Sequence, residues 1–124
     1  MASASREHFP REHRIAASRE FRAIYNAGLK INSASFVLFG RVNNLEHHRL
    51  GLTVTRKIGG AVVRNRVKRL FREVFRKSTE EIPRHFDLII NAKRDCANIT
   101  FEKLRDEFIS AMHKLCRYCA KPER

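Results

Sequence analysis

The sequence predicts an α+β fold: a single-domain α/β sandwich whose central, mostly antiparallel sheet carries packed helices, in the order α-β-β-β-α-β-α. Three observations lead there. Apolar residues recur at helical spacing in three separate segments. Between them lie short runs rich in aromatic and β-branched residues, the composition of strands. The 124 residues, 43% of them hydrophobic, contain no repeat, low-complexity tract or linker, so they suffice for one core and not two.

Residues 1–17 are polar and basic with little periodicity and are expected to form a flexible N-terminal arm. The packed domain is expected over 18–119, with 120–124 as a short tail. SREFRAIYNAG reads as the first helix, with Ser18 as N-cap, Phe21, Ile24 and Tyr25 on one face, and Gly28 as the stop. SFVLFGRV reads as a strand with Val37 and Phe39 on one face and Phe36 and Leu38 on the other. After the turn-rich NNLEHH, RLGLTVTRK reads as another strand, with Leu50, Leu52 and Val54 on one face. HFDLIINAKR is apolar enough to be a central strand. Asn98 or Thr100 then caps a last helix carrying Phe101, Leu104, Phe108, Met112 and Leu115 at helical spacing.

Charge narrows the function. Lys and Arg number 26 against 13 Asp and Glu, a net +13. Between Arg56 and Lys77 there are nine basic residues and one acid, Glu73, so a net +8 lies within 22 residues. Such a concentration costs self-repulsion and points to a polyanionic partner. No apolar run approaches membrane-spanning length, and MASASREHFPREHR has no hydrophobic signal core, so the chain is expected in the cytoplasm. Three cysteines, at 96, 116 and 119, do not suit a secreted disulfide framework.

The stretch RNRVKRLFREVFR separates its greasy and charged residues on a helical wheel. With Val67 at zero, Val63, Leu70, Phe71, Val74 and Phe75 fall on one side; Asn65, Arg69, Arg72 and Arg76 fall opposite, with Lys68 at the flank. Cations four apart, Lys68 with Arg72 and Arg72 with Arg76, repel by a few tenths of a kcal/mol each, which a purely structural helix would relieve with Glu. The alternatives are a solvated helix face and a phosphate-binding face; the clustering and the dominance of Arg, whose planar fork suits phosphate, favour the second.

GLTVTRKIGGAVVRNRVKRLFREVFR closely resembles the RNR signature of the bacterial ribonuclease P protein subunit: a strand ending in basic residues, a Gly-x-Ala-Val turn, then Arg-Asn-Arg-x-Lys-Arg. EFRAIYNAG, SFVLF and FDLIINAKR are similar to the flanking elements of that family, so the resemblance spans most of the chain. It implies an accessory protein of a catalytic RNA that removes the 5′ leader of precursor tRNA, with the chemistry and its magnesium ions held by the RNA. It implies that Arg64, Asn65, Arg66, Lys68, Arg69 and Arg72 face the ribonuclease P RNA. It implies a leader cleft between the first helix and the sheet, at Phe21, Tyr25, Val37, Phe39, Arg56 and Lys57, where unstacked bases rest on aromatic faces. Read without the resemblance, the same aromatics are core residues. Phe39 stands where the family often has Tyr, and Arg56 where Lys is common. The family also implies a left-handed strand–helix–strand crossover, against the general right-handed preference.

Other signals are weaker. HKLCRYC holds a CxxC, but a zinc site needs a second pair and only Cys96 remains; incidental reduced thiols are expected. His47 and His48 lie in a loop without an evident partner. No carboxylate cluster for two catalytic metals and no nucleotide-binding Gly-rich loop is present. The chain is therefore expected to contribute no catalytic residue and no metal ligand, and to have the ribonuclease P RNA and precursor tRNA as partners, with no membrane and no obligate protein partner. A structural RNA-binding protein, for example ribosomal, and a protein-only nuclease are the competing readings.

Overall fold

The structure is a computed structural model describing residues 11–80, 82 and 84–120. Helix α1 (Ser18–Ala27) leads into strands β1 (Leu29–Asn32), β2 (Phe36–Val42) and β3 (Arg49–Thr53). Helix α2 (Ala61–Ser78), strand β4 (Phe86–Ala92) and helix α3 (Phe101–Ala120) follow, with single 3₁₀ turns at Arg11–His13 and Arg94–Asn98. This is the predicted element order. The four strands are arranged β1-β2-β4-β3. β1–β2 and β2–β4 are antiparallel, while β3 and β4 are parallel, so α2 is the crossover of a strand–helix–strand unit.

β4 is an inner strand because both its faces are greasy: Phe86, Leu88, Ile89 and Ile90 are fully buried. Alternation along β2 works as predicted. Phe36 and Leu38 enter the main core, where Phe36 meets Phe71 of α2 edge to face at 5.6 Å, while Val37 and Phe39 turn to the other face. The core stripe of α2, Val67, Phe71, Val74 and Phe75, is buried against this sheet face with Leu104, Phe108, Met112 and Leu115 of α3. Gly40 of β2 lets α3 approach, since a Cβ there would lie 2.5 Å from Leu115 Cδ2 and 3.0 Å from Leu88 Cδ2. Gly40→Ala should therefore overpack the core and lower unfolding stability by about 1–3 kcal/mol, read from denaturant midpoints.

The helix ends differ from the expectation in one place. Ser18 is the first helical residue and Ala17 the N-cap, with no side-chain cap bond; the backbone N–H groups of Glu20 and Phe21 donate to the Ala17 carbonyl instead. Of the two proposed caps for α3, Thr100 serves: its Oγ1 accepts from the Lys103 N–H at 3.2 Å, while Asn98 belongs to the preceding turn. Residues 1–10 and 121–124 of the expected arm and tail lie outside the described residues. Within 11–17, Ile15 is buried and its N–H donates to the Leu50 carbonyl at 2.9 Å, which ties this stretch to the edge strand β3.

The loop histidines have partners that spacing did not show. His48 is buried; its Nε2–H donates to the Thr79 carbonyl at 3.2 Å and its Nδ1 accepts from the Phe86 N–H at 3.1 Å. This uses both ring nitrogens of the neutral form. Burial and the neighbouring His85 lower its pKa from 6.5 to about 4. Protonation would turn Nδ1 into a donor facing another donor. Stability contributed by the neutral ring is thus present above pH 6.5 and is lost as pH falls from 6.5 towards 4, by roughly 2–3 kcal/mol. Denaturant midpoints should fall across that window, and His48→Gln should flatten the fall.

Candidate nucleic-acid interface

The first part of the interface is the outer face of α2. Gly60 is the N-cap of the helix, after a turn in which Ile58 and Gly59 N–H groups donate back to the Thr55 and Arg56 carbonyls. Gly59 has φ +155° and a Cβ there would meet Val63 at 3.0 Å, so glycine is required; Gly60 has open space around it. Arg56 and Lys57 sit exposed on this turn. Along the helix the six predicted residues fall into two groups. Asn65 and Arg69 are exposed and Lys68 and Arg72 half-buried, and the three cations among them make no hydrogen bond or salt bridge to any described residue. Arg64 instead donates through Nε to the Gly59 carbonyl at 3.2 Å, and Arg66 donates to the Ala97 carbonyl. These two bonds hold the N-terminal part of the charged row, and each leaves other guanidinium N–H groups for a further acceptor. Partial burial, then the nearby Arg14, lowers the pKa of Arg72; an anion against it would relieve both effects. Arg76, also on the polar side, is taken by Glu73 at 2.8 Å.

The second part lies across the sheet, on the face that α1 partly covers. Ile15, Ile24 and Ile89 form a small buried cluster there, and Phe21, Tyr25 and Phe39 lean on it while remaining partly open. Tyr25 meets Phe39 edge to face at 4.8 Å and Phe21 at 6.2 Å. The aromatics are therefore both packing and surface. Phe21 can lie this close to β3 because Gly51 has no side chain; a Cβ there would be 2.8 Å from the ring. A depression of ≈ 480 Å³ beside α1 is lined by Ala16, Ser18, Phe21, Arg22, Tyr25 and Thr53. Val37 and Phe39 lie next to it rather than in its lining. In register, Val37 pairs with Asn91 and Asn91 with Thr53, so these three form one row across the sheet floor.

α1 is held over this face by a charged anchor. Arg49 donates through Nε and Nη2 to the two oxygens of Asp87, each at 2.9 Å, and through Nη1 to Glu20 of α1 at 3.1 Å. Asn43 donates to Asp87 at 2.8 Å and Arg41 lies 3.5 Å away. Burial alone would raise the pKa of Asp87, but these hydrogen bonds and charges outweigh it and hold the pKa below the ordinary value. The bidentate geometry explains why Arg stands at 49, and it removes Arg41 and Arg49 from the cations open to a ligand.

Arg22, Thr53 and Asn91 were missed by sequence reasoning. Arg22 lies on the helix flank beside Phe21, and Asn91 interrupts an apolar strand; a polar residue within FDLIINA was the signal available. The CxxC gives nothing further: burial raises the pKa of both Cys116 and Cys119, away from the thiolate form. Among the described residues, no three His, Cys, Asp or Glu side chains are gathered to hold a metal ion, and no helix is long and apolar enough to cross a membrane.

A cationic helix face and an aromatic depression thus lie on one small α+β domain. The sequence pattern of the Ribonuclease P family matches residues 9–116. The ribonuclease P protein component of Thermotoga petrophila is 38% identical over 102 residues, covering 82% of this chain and 80% of that protein. That of Halalkalibacterium halodurans is 38% identical over 96 residues, covering 77% and 81%. Among solved structures, the Staphylococcus aureus RNase P protein superposes with TM-score 0.74 at 29% identity, covering 82% of this chain and 94% of that one. The Thermotoga maritima RNase P protein gives 0.71 at 30%, covering 84% and 96%. The chain belongs to the bacterial ribonuclease P protein family, the protein component of the enzyme that processes the 5′ end of tRNA.

Proposed function

We propose that this chain acts as the non-catalytic cofactor of a catalytic ribonuclease P RNA in the cytoplasm, and that it binds both that RNA and the 5′ leader of precursor tRNA. The observation that carries the reading is the division of labour on its surface. The α2 face leaves Lys68, Arg69 and Arg72 without an anion among the described residues, beside Arg64 and Arg66 with Asn65 between them, and this face suits the phosphates of a folded RNA. The depression at Phe21 and Tyr25, with Phe39 and Val37 on the adjoining floor, suits splayed single-stranded bases. Arg56 and Lys57 leave the sheet just beyond Thr53, near enough in sequence to meet the leader backbone. The magnesium ions and the bond-breaking step belong to the RNA; the protein's share is to fix the substrate and screen phosphate repulsion, so that less magnesium is needed.

The test is cleavage of precursor tRNA by a bacterial ribonuclease P RNA at low magnesium, with and without the protein, beside a protein-only control. Stimulation that requires the RNA is expected. Tight, salt-dependent RNA binding without stimulation would instead make it a structural RNA-binding protein. Cleavage by the purified protein alone would place chemistry in the chain.

A further inference from the structure

A second cavity, of ≈ 420 Å³, opens where the C-terminal end of α2 meets the loop between β2 and β3 and the stretch before β4. That volume suits one small organic molecule. Phe75 and Ile82 line it, together with the rings of His13 and His47, which stack at 4.4 Å and 30°. These residues give it flat, apolar walls.

The polar groups left open in the cavity are mainly acceptors. His47 Nδ1 lies 3.1 Å from the His48 carbonyl, and His85 Nδ1 lies 3.1 Å from the Leu45 carbonyl. A carbonyl only accepts, so each Nδ1 carries a proton, and in the neutral ring each Nε2 is a bare acceptor. Glu46 and Glu80 are exposed and make no hydrogen bond or salt bridge to a described residue. Arg76, the cation in the lining, is paired with Glu73 at 2.8 Å. A chain of net charge +13 thus carries a cavity unsuited to phosphate. Among the described residues no three His, Asp or Glu side chains gather to hold a metal ion. Acceptors spread along flat walls fit the edge of a planar molecule that bears N–H donors.

We infer that this cavity binds a guanine base, which packs on the Phe75, Ile82 and histidine walls and donates from N1–H and N2–H₂ to the carboxylate of Glu46 or Glu80, with the remaining N2–H for an imidazole Nε2. Guanine is the standard RNA base with two adjacent N–H donors on its pairing edge, and a carboxylate accepts two parallel bonds. Adenine and cytosine set an NH₂ beside a bare ring nitrogen, and uracil sets one N–H between two carbonyls. Against a carboxylate each of these leaves an acceptor facing an acceptor, and such mismatches discriminate strongly. The base can come from an RNA chain or from a free guanine nucleoside. Arg76 lies one helical turn beyond Arg72, so the cations of α2 run up to the cavity and would lead an RNA to it.

The experiment titrates the full chain with guanosine, inosine, adenosine, cytidine and uridine and follows the NMR shifts of its amides and imidazoles. These nucleosides carry no phosphate, so the basic face of α2 does not enter the result. Guanosine should bind about tenfold or more tightly than adenosine, cytidine or uridine, with the shifts centred on His47 and His85. Inosine keeps N1–H and lacks only the N2 amine, and it should bind about tenfold more weakly than guanosine. Glu46→Gln with Glu80→Gln changes two exposed residues, so the fold should hold while the preference for guanosine is lost. Short single-stranded RNAs carrying one guanosine or one inosine should show the same order. Tighter binding of the RNA than of free guanosine assigns the base to a chain, and the reverse assigns it to a free nucleoside. Equal binding of all the nucleosides, shifts that miss His47 and His85, or the same preference in the double variant would overturn the inference. Saturable binding of zinc ion alone, with none of guanosine, would overturn it as well.

Discussion

Neutralising Arg64, Arg66, Lys68, Arg69 and Arg72 together should reduce the slope of log affinity against log salt for ribonuclease P RNA by roughly 3–4 units, and should weaken binding at 0.1 M salt on the order of 10³-fold. Each phosphate neutralised by the protein releases condensed counterions, and that release is the quantity the slope counts. The structure refines the expectation residue by residue. Lys68, Arg69 and Arg72 make no salt bridge among the described residues, so changing them to Gln should lower the slope without loss of fold. Arg66 holds the Ala97 carbonyl and Arg64 that of Gly59, so their removal should also loosen the turns at Ala97 and Gly59, by about 1 kcal/mol each. Comparing the triple with the quintuple variant by salt titration and thermal unfolding separates the two contributions. A slope unchanged in both variants would show that this face does not meet RNA.

Phe21→Ala should weaken precursor tRNA binding in the holoenzyme by about tenfold, as expected for one lost stacking platform, and leave mature tRNA binding nearly unchanged. The same substitution removes the ring that lies against Gly51 and Tyr25, so a fall in stability is also expected. The ratio of precursor to mature affinity is the decisive readout, because a purely structural loss would lower both alike. An unchanged ratio would make Phe21 a core residue only.

These two sites were not equally legible in the sequence. The basic face could be read because α2 is one continuous helix: 3.6-residue periodicity places Val67, Phe71, Val74 and Phe75 inward and the cations outward, whatever the rest of the chain does. The inner position of β4 was legible for a similar reason, since an uninterrupted apolar run must be covered on both faces. The short strand β1 is harder to place, because four residues carry too little alternation to stand out. The cap at Ser18 was misplaced by one residue, because a serine near a helix start does not say whether its hydroxyl or the backbone of Ala17 closes the first turn.

What the sequence by itself determined is the fold class, the element order and the cationic helix, all consequences of local periodicity and charge. What only the tertiary structure decided is which of those charges remain open and what the sheet floor is made of. Arg41 and Arg49 count as cations in the sequence, but Asp87, brought beside them by the pairing of β2, β3 and β4, takes both. Ile15 belongs to a basic stretch in the sequence and to a buried cluster in the fold. Asn91 and Tyr25, 66 residues apart, meet only because α1 crosses the face of β4. Such pairings depend on strand register and on helix placement over the sheet, both of which are set by contacts distant in the chain, and no local pattern of residues encodes them.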